Sequence, residues 1–108
     1  MKIEINGKYY EANEIGSPID SVGVLKICVL QRGNVLIGYF NQDGASCWLE
    51  KASVIRRWGT ESGLGQLSNE GPTSETVLDK CSGRVDFDVL TMVFSIEVKN
   101  LEPWKNVL

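Results

Sequence analysis

Val24-Leu25-Lys26-Ile27-Cys28-Val29-Leu30, a tight Arg32-Gly33-Asn34 and then Val35-Leu36-Ile37-Gly38-Tyr39-Phe40 form the stretch on which the fold turns. Side chains alternate across a strand, so Leu25, Ile27 and Val29 point one way and Val24, Cys28 and Leu30 the other. Both sets are apolar, as in a central strand covered on two sides. The β-branched content over 22–30 favours a strand over a helix, and Arg32-Gly33-Asn34 turns it back on itself. Asp43-Gly44 supplies the next turn, into Ala45 to Ile55. A three-stranded meander over 22–58 is the expectation, with Gly38 as a bend or bulge that curls the sheet.

Working outward, Asn6-Gly7 between Ile3, Ile5 and Tyr9 predicts a hairpin of 2–6 with 8–12, because both central turn positions need positive φ. Glu14 to Asp20, with Gly16 and Pro18, reads as a connection. From 59 to 83 the alternation stops and Gly, Ser, Thr, Asn and Pro accumulate. Leu64 and Leu67, Ser62 as N-cap, Gly71 past the end and Pro72 beyond predict one short helix within that loop. A loop of this length is either functional or mobile. Val85, Phe87 and Val89 then alternate with Asp86 and Asp88, whereas Met92, Phe94, Ile96 and Val98 take the opposite parity, so a bulge or corner lies near Leu90-Thr91. Pro103 and Trp104 close the ordered chain. The expected fold is all-β, a small SH3-like barrel or two-sheet sandwich of six or seven antiparallel strands in one domain, with C-terminal strands over 84–99.

The 108 residues are 43% hydrophobic and 23% charged, within the globular range. Met1-Lys2-Ile3-Glu4-Ile5-Asn6 has no apolar signal stretch, and no run approaches about 20 apolar residues. A cytoplasmic protein without membrane contact is expected. Cys28, Cys47 and Cys81 are odd in number, lack any C-x-x-C spacing, and read as reduced, mostly buried thiols.

The chain has no histidine, which removes the usual general base near neutral pH and the commonest metal ligand. Gly44-Ala45-Ser46-Cys47-Trp48 echoes the surroundings of papain-type cysteines, but that chemistry needs a histidine to form the thiolate. Asp86 and Asp88 share a strand face, where an acid–base pair or a divalent cation weighs far less than a solvated face. Gly63-Leu64-Gly65 is a fragment of a phosphate-loop pattern without its third glycine. No enzyme activity, cofactor or metal is expected.

The net charge of −3 is uneven: residues 1–20 carry −2, 21–60 carry +3 and 61–108 carry −4. An anionic partner would therefore meet the middle. Tyr39, Trp48, Lys51, Arg56, Arg57 and Trp58 lie there, and aromatic faces beside guanidinium groups stack on bases and hold phosphates. With Gln66 from the following loop, these are the candidate ligand-binding residues. The competing reading makes Tyr39 and Trp48 core and leaves Arg56-Arg57 at a strand end, where adjacent residues share a surface only if the strand ends or bulges. Sheet edges and the aromatic tail also admit a homo-oligomer or another protein partner.

The meander, Ala52, Trp58, Leu64-x-Gln66-Leu67-x-x-x-Gly71, Cys81, Val85-x-Phe87 and Ile96-Glu97-Val98 together resemble a family of short, uncharacterised proteins encoded by bacteriophages and prophages, over about residues 24–104. In that family an arginine pair directly follows the alanine. Here Ser53-Val54 stand there and Arg56-Arg57 come later, so no role passes to these arginines. The resemblance implies a viral accessory protein in the host bacterial cytoplasm, binding a host macromolecule and modulating a host process. The reading taken from the residues instead is a binder of nucleotides or short nucleic acid, sequestering a small anionic signal. A structural or oligomeric phage protein is the third.

Overall fold

The computed structural model describes residues 2–5, 8–11 and 23–108. Its elements are β1 (Lys2–Ile5), β2 (Lys8–Glu11), β3 (Val24–Leu30), β4 (Val35–Asp43), β5 (Ser46–Arg57), α1 (Leu64–Glu70), β6 (Val77–Lys80), β7 (Val85–Asp88) and β8 (Met92–Glu97). The first two pair antiparallel as a hairpin, Lys2 opposite Glu11 and Ile5 opposite Lys8. The Asn6-Gly7 turn, residue 12 and the connection over 14–20 lie outside the described residues. No helix among the described residues is long and apolar enough to cross a membrane.

The main sheet is antiparallel and runs β6-β5-β4-β3-β8, with β7 also on β5. As expected, β3 is central, between β4 and β8, and its two faces feed two cores. On the outer face Leu25, Ile27, Val35, Ile37 and Ile55 pack with Leu64 and Leu67 of α1, Val98 and Trp104. On the inner face Cys28, Leu36, Leu49 and Ala52 gather Val85 and Phe87 of β7 and Met92 of β8. These last three come from opposite ends of the strand order, so the sheet must curl around the inner core.

The curl originates at Gly38. Ile37 pairs with Ser53 and Tyr39 with Glu50, so Gly38 alone faces Lys51 and Ala52 in a β-bulge. Lys51 adopts φ 52° there. A Cβ on Gly38 would lie 3.0 Å from both Glu50 O and Leu49 Cβ, so a side chain there would push the two strands apart by a few tenths of an ångström. The extra residue also resets parity: Cys47 and Leu49 face the inner side before the bulge, Ala52 and Val54 after it.

The mainly β expectation holds, but the barrel or sandwich is replaced by an open, curled sheet. The chain passes from β7 to β8 through one 3-10 turn, Val89–Thr91, started by Asp88 accepting the Leu90 amide at 2.8 Å. That turn hands the chain from the β5 ladder to the β3 ladder, and β7 and β8 share no ladder that would close a barrel.

The segment 59–83, expected as a loop with one helix, also holds β6, which pairs with the second half of β5. The rest is pinned by threonines. Thr73 Oγ1 donates to Gly59 O at 2.6 Å and Thr76 Oγ1 to Trp58 O at 2.7 Å. The helix starts at Gly63 rather than on a Ser62 cap: Gln66 Oε1 reaches back to accept the amides of Glu61 and Ser62, at 3.1 and 2.9 Å. Trp104, expected where order ends, is wholly buried and donates Nε1–H to Leu67 O at 3.2 Å.

Candidate functional site

An open concavity forms where the β4–β5 hairpin tip meets β7. Ser46, Cys47, Trp48 and Leu49 pair with Asp88, Phe87, Asp86 and Val85 in turn. Alternation sends Val85 and Phe87 into the inner core and leaves Asp86 and Asp88 on the outer side with Ser46 and Trp48. Across the hairpin, Asp43 stands opposite Ser46, joining the same face. The turn at Gly44 is braced by Gln42, whose Nε2 donates to Gly44 O at 2.9 Å. The result is an open groove of about 560 Å³.

Its aromatic wall is Trp48, which is half-buried. The Arg84 guanidinium lies over the indole, 4.7 Å from the ring centroid, and its Nε stands 2.8 Å from Asp86 Oδ1. Asp88 accepts the Leu90 amide, and Asp43 is exposed. Among the described residues neither Asp43 nor Asp88 has an ion-pair partner, so three carboxylates meet one guanidinium and the groove is acidic. Cys47 is buried at its base, and burial, with Asp88 as a smaller cause, raises the thiol's pKa. Among the described residues no three side chains group as a metal site.

Of the sequence candidates, only Trp48 lines this groove. Tyr39 packs half-buried against the outer core. Lys51 is exposed on the bulge, and Gln66 is engaged at the start of α1. Arg56 is held by Asp79, Nε to Oδ2 at 2.8 Å. A second bulge, between Ile55 and Arg57, sets these arginines at the strand end, where Arg57 is exposed beside Trp58, itself 42% exposed. At about 3.3 Å per residue, Trp58 stands up to roughly 30 Å along the chain from Trp48. The basic and aromatic residues are thus divided between two ends of β5. Arg84, Asp43, Asp86 and Asp88 complete the groove; Asp86 and Asp88 were visible as one strand face, but Arg84 was not singled out and nothing local told which strand they would flank.

Comparison with family models, curated proteins and solved structures finds no match.

Proposed function

We propose that this chain is a non-enzymatic binding protein whose groove at the β4–β5 tip takes a cationic side chain of another macromolecule. The observation that carries the reading is the Arg84–Trp48–Asp86 stack. A guanidinium already rests on this indole against a carboxylate, and Asp43 and Asp88 offer further uncompensated charge beside it. Planar cations are recognised by an aromatic face together with carboxylates. The absence of histidine from the sequence supports binding over catalysis. The resemblance over about residues 24–104 supports taking the partner as a host macromolecule bound by a phage accessory protein.

A second reading, a nucleotide or short nucleic acid as ligand, draws on one observation. Arg57 has no ion-pair partner among the described residues and lies next to exposed Trp58. Fluorescence anisotropy with a labelled arginine-containing peptide and a labelled single-stranded oligonucleotide, at low and high salt, separates the two. The first reading expects the peptide to bind, less tightly as salt rises. Trp48→Ala should weaken it roughly tenfold, the scale of a cation–π contact of one to two kcal/mol. Unchanged affinity in Trp48→Ala, or no peptide binding, overturns it. Oligonucleotide binding that disappears in Arg57→Ala establishes the second.

A further inference from the structure

The groove already holds a cation of its own. The Arg84 guanidinium lies over Trp48, 4.7 Å from the ring centroid, and its Nε stands 2.8 Å from Asp86 Oδ1. Both side chains of that ion pair face solvent, Arg84 at 50% and Asp86 at 64% exposure. Arg84 stands outside β7: the ladder with β5 begins one residue later, at Val85. Gly83 before it has open space where a side chain would stand. Arg84 can therefore leave the indole by rotating its side chain, and no ladder hydrogen bond breaks.

An incoming guanidinium that took this place would gain the contacts that Arg84 gives up. The two are the same chemical group on the same indole and the same carboxylate, so the exchange alone yields almost nothing. A ligand shifts such an equilibrium only by what it binds differently in the two states. The contacts that Arg84 leaves unused are Asp88 and Asp43. Asp88 lies two residues beyond Asp86 on the same face of β7, and Asp43 stands opposite Ser46, which pairs with Asp88. Asp88 uses Oδ1 on the Leu90 amide and keeps its other carboxylate oxygen for the groove. Two residues of strand span about 7 Å. Along an extended ligand, side chains two residues apart are separated by that same length and point the same way.

Building on the groove's reading as a cation site, we infer that Arg84 is an internal competitor for Trp48 and Asp86, and that the ligand it admits is an extended segment with two cations at alternate positions. The first cation replaces Arg84 on the indole, and the second reaches Asp88 and Asp43. A lone arginine is turned away, because it brings nothing that Arg84 does not already supply. Specificity for paired cations thus comes from a built-in rival as well as from the attraction.

Calorimetric titration with three short peptides tests this. One peptide carries a single arginine, one carries arginines at alternate positions, and one carries them about 20 Å apart along an extended chain, too far to share the groove. The wild type should bind the alternating peptide at least about tenfold more tightly than the other two. Arg84→Ala and Arg84→Gln should each tighten the single-arginine peptide by about tenfold, the scale of one exposed cation–π contact and one exposed ion pair released together. Asp43→Asn and Asp88→Asn should each reduce the advantage of the alternating peptide, and asparagine still accepts the Leu90 amide. By NMR, the Arg84 side-chain protons shifted by the indole ring should move to the positions of free arginine as that peptide saturates the wild type. Single-arginine affinity unchanged or weakened in both Arg84 variants overturns the inference, as do Arg84 protons that keep their ring shift in the complex. Trp48-dependent binding combined with either result removes the competitor and leaves the cation site standing. No binding of any peptide by any of these proteins removes the site and the competitor together.

Discussion

Ser53 is wholly buried in β5 between Ile37 of β4 and Lys80 of β6, and its Oγ has no hydrogen-bond partner. A buried hydroxyl left without a partner costs about 1 to 3 kcal/mol. Ser53→Ala is therefore expected to stabilise the protein. For a chain of this size about 1 kcal/mol raises the melting temperature by roughly 4 to 8 °C, which differential scanning calorimetry resolves. A lower melting temperature would show that the hydroxyl is bonded after all. Lys51 is strained differently: its left-handed φ of 52° belongs to the bulge that reorients β5, so the strain stays while Gly38 permits the close approach.

At the level of elements, α1 is short and carries two glycines, Gly63 at its N-cap and Gly65 inside, yet it holds because both ends are tied. Ser68 Oγ donates to Glu97 O at 2.8 Å and accepts the Lys99 amide at 3.1 Å, clipping the helix to the end of β8. Past the helix, Gly71 adopts φ 85° and ψ −177°, open in practice to glycine alone. A Cβ there would stand 2.3 Å from Pro103 Cβ. Gly71→Ala should cost at least about 2 kcal/mol, read as a lower urea midpoint. An unchanged midpoint would mean that the Pro103–Trp104 turn is not seated on the helix.

The same scale shows which elements could be read from the sequence. β3 was legible because apolar residues on both parities admit one reading, and the short helix because Leu64, Leu67 and Gly71 fall at helical offsets. β6 was not: Val77-Leu78-Asp79-Lys80 is four residues long, and only its pairing with β5 makes it a strand. Trp104 was misread for a similar reason, since the partner of its indole is a carbonyl 37 residues away. The groove was half legible. Trp48 stood out as an aromatic in a basic stretch, but Arg84, Asp86 and Asp88 beside it come from the acidic segment 61–108, and Arg56 is engaged with Asp79 from that same segment.

For the whole molecule the inner core sets the response to alkali. Burial pushes the Cys28 thiol from 9.0 to about 11. Below pH 9 it is protonated in both folded and unfolded chains and the stability is present in full. Above pH 9 the unfolded chain gives up the proton while the native one keeps it, so stability falls by about 1.4 kcal/mol per pH unit until the folded value is reached. Cys47 is shifted the same way. Urea midpoints for wild type and Cys28→Ala, measured from pH 8 to about 10.5 to span this window, should converge as pH rises. Parallel curves would remove Cys28 as the cause.

The two cores are also completed at different moments of synthesis. Every member of the inner core has been made once Met92 is added, whereas the outer core waits twelve residues longer for Trp104, then for Val107 and Leu108. At about 5 to 20 residues per second, the last members of the two cores are made on the order of a second apart, and until then Leu25, Ile27 and Ile37 have only Leu64 and Leu67 of α1 to cover their outer side. The part of that face left to Trp104, Val107 and Leu108 is what the nascent sheet offers a chaperone until those residues are in place.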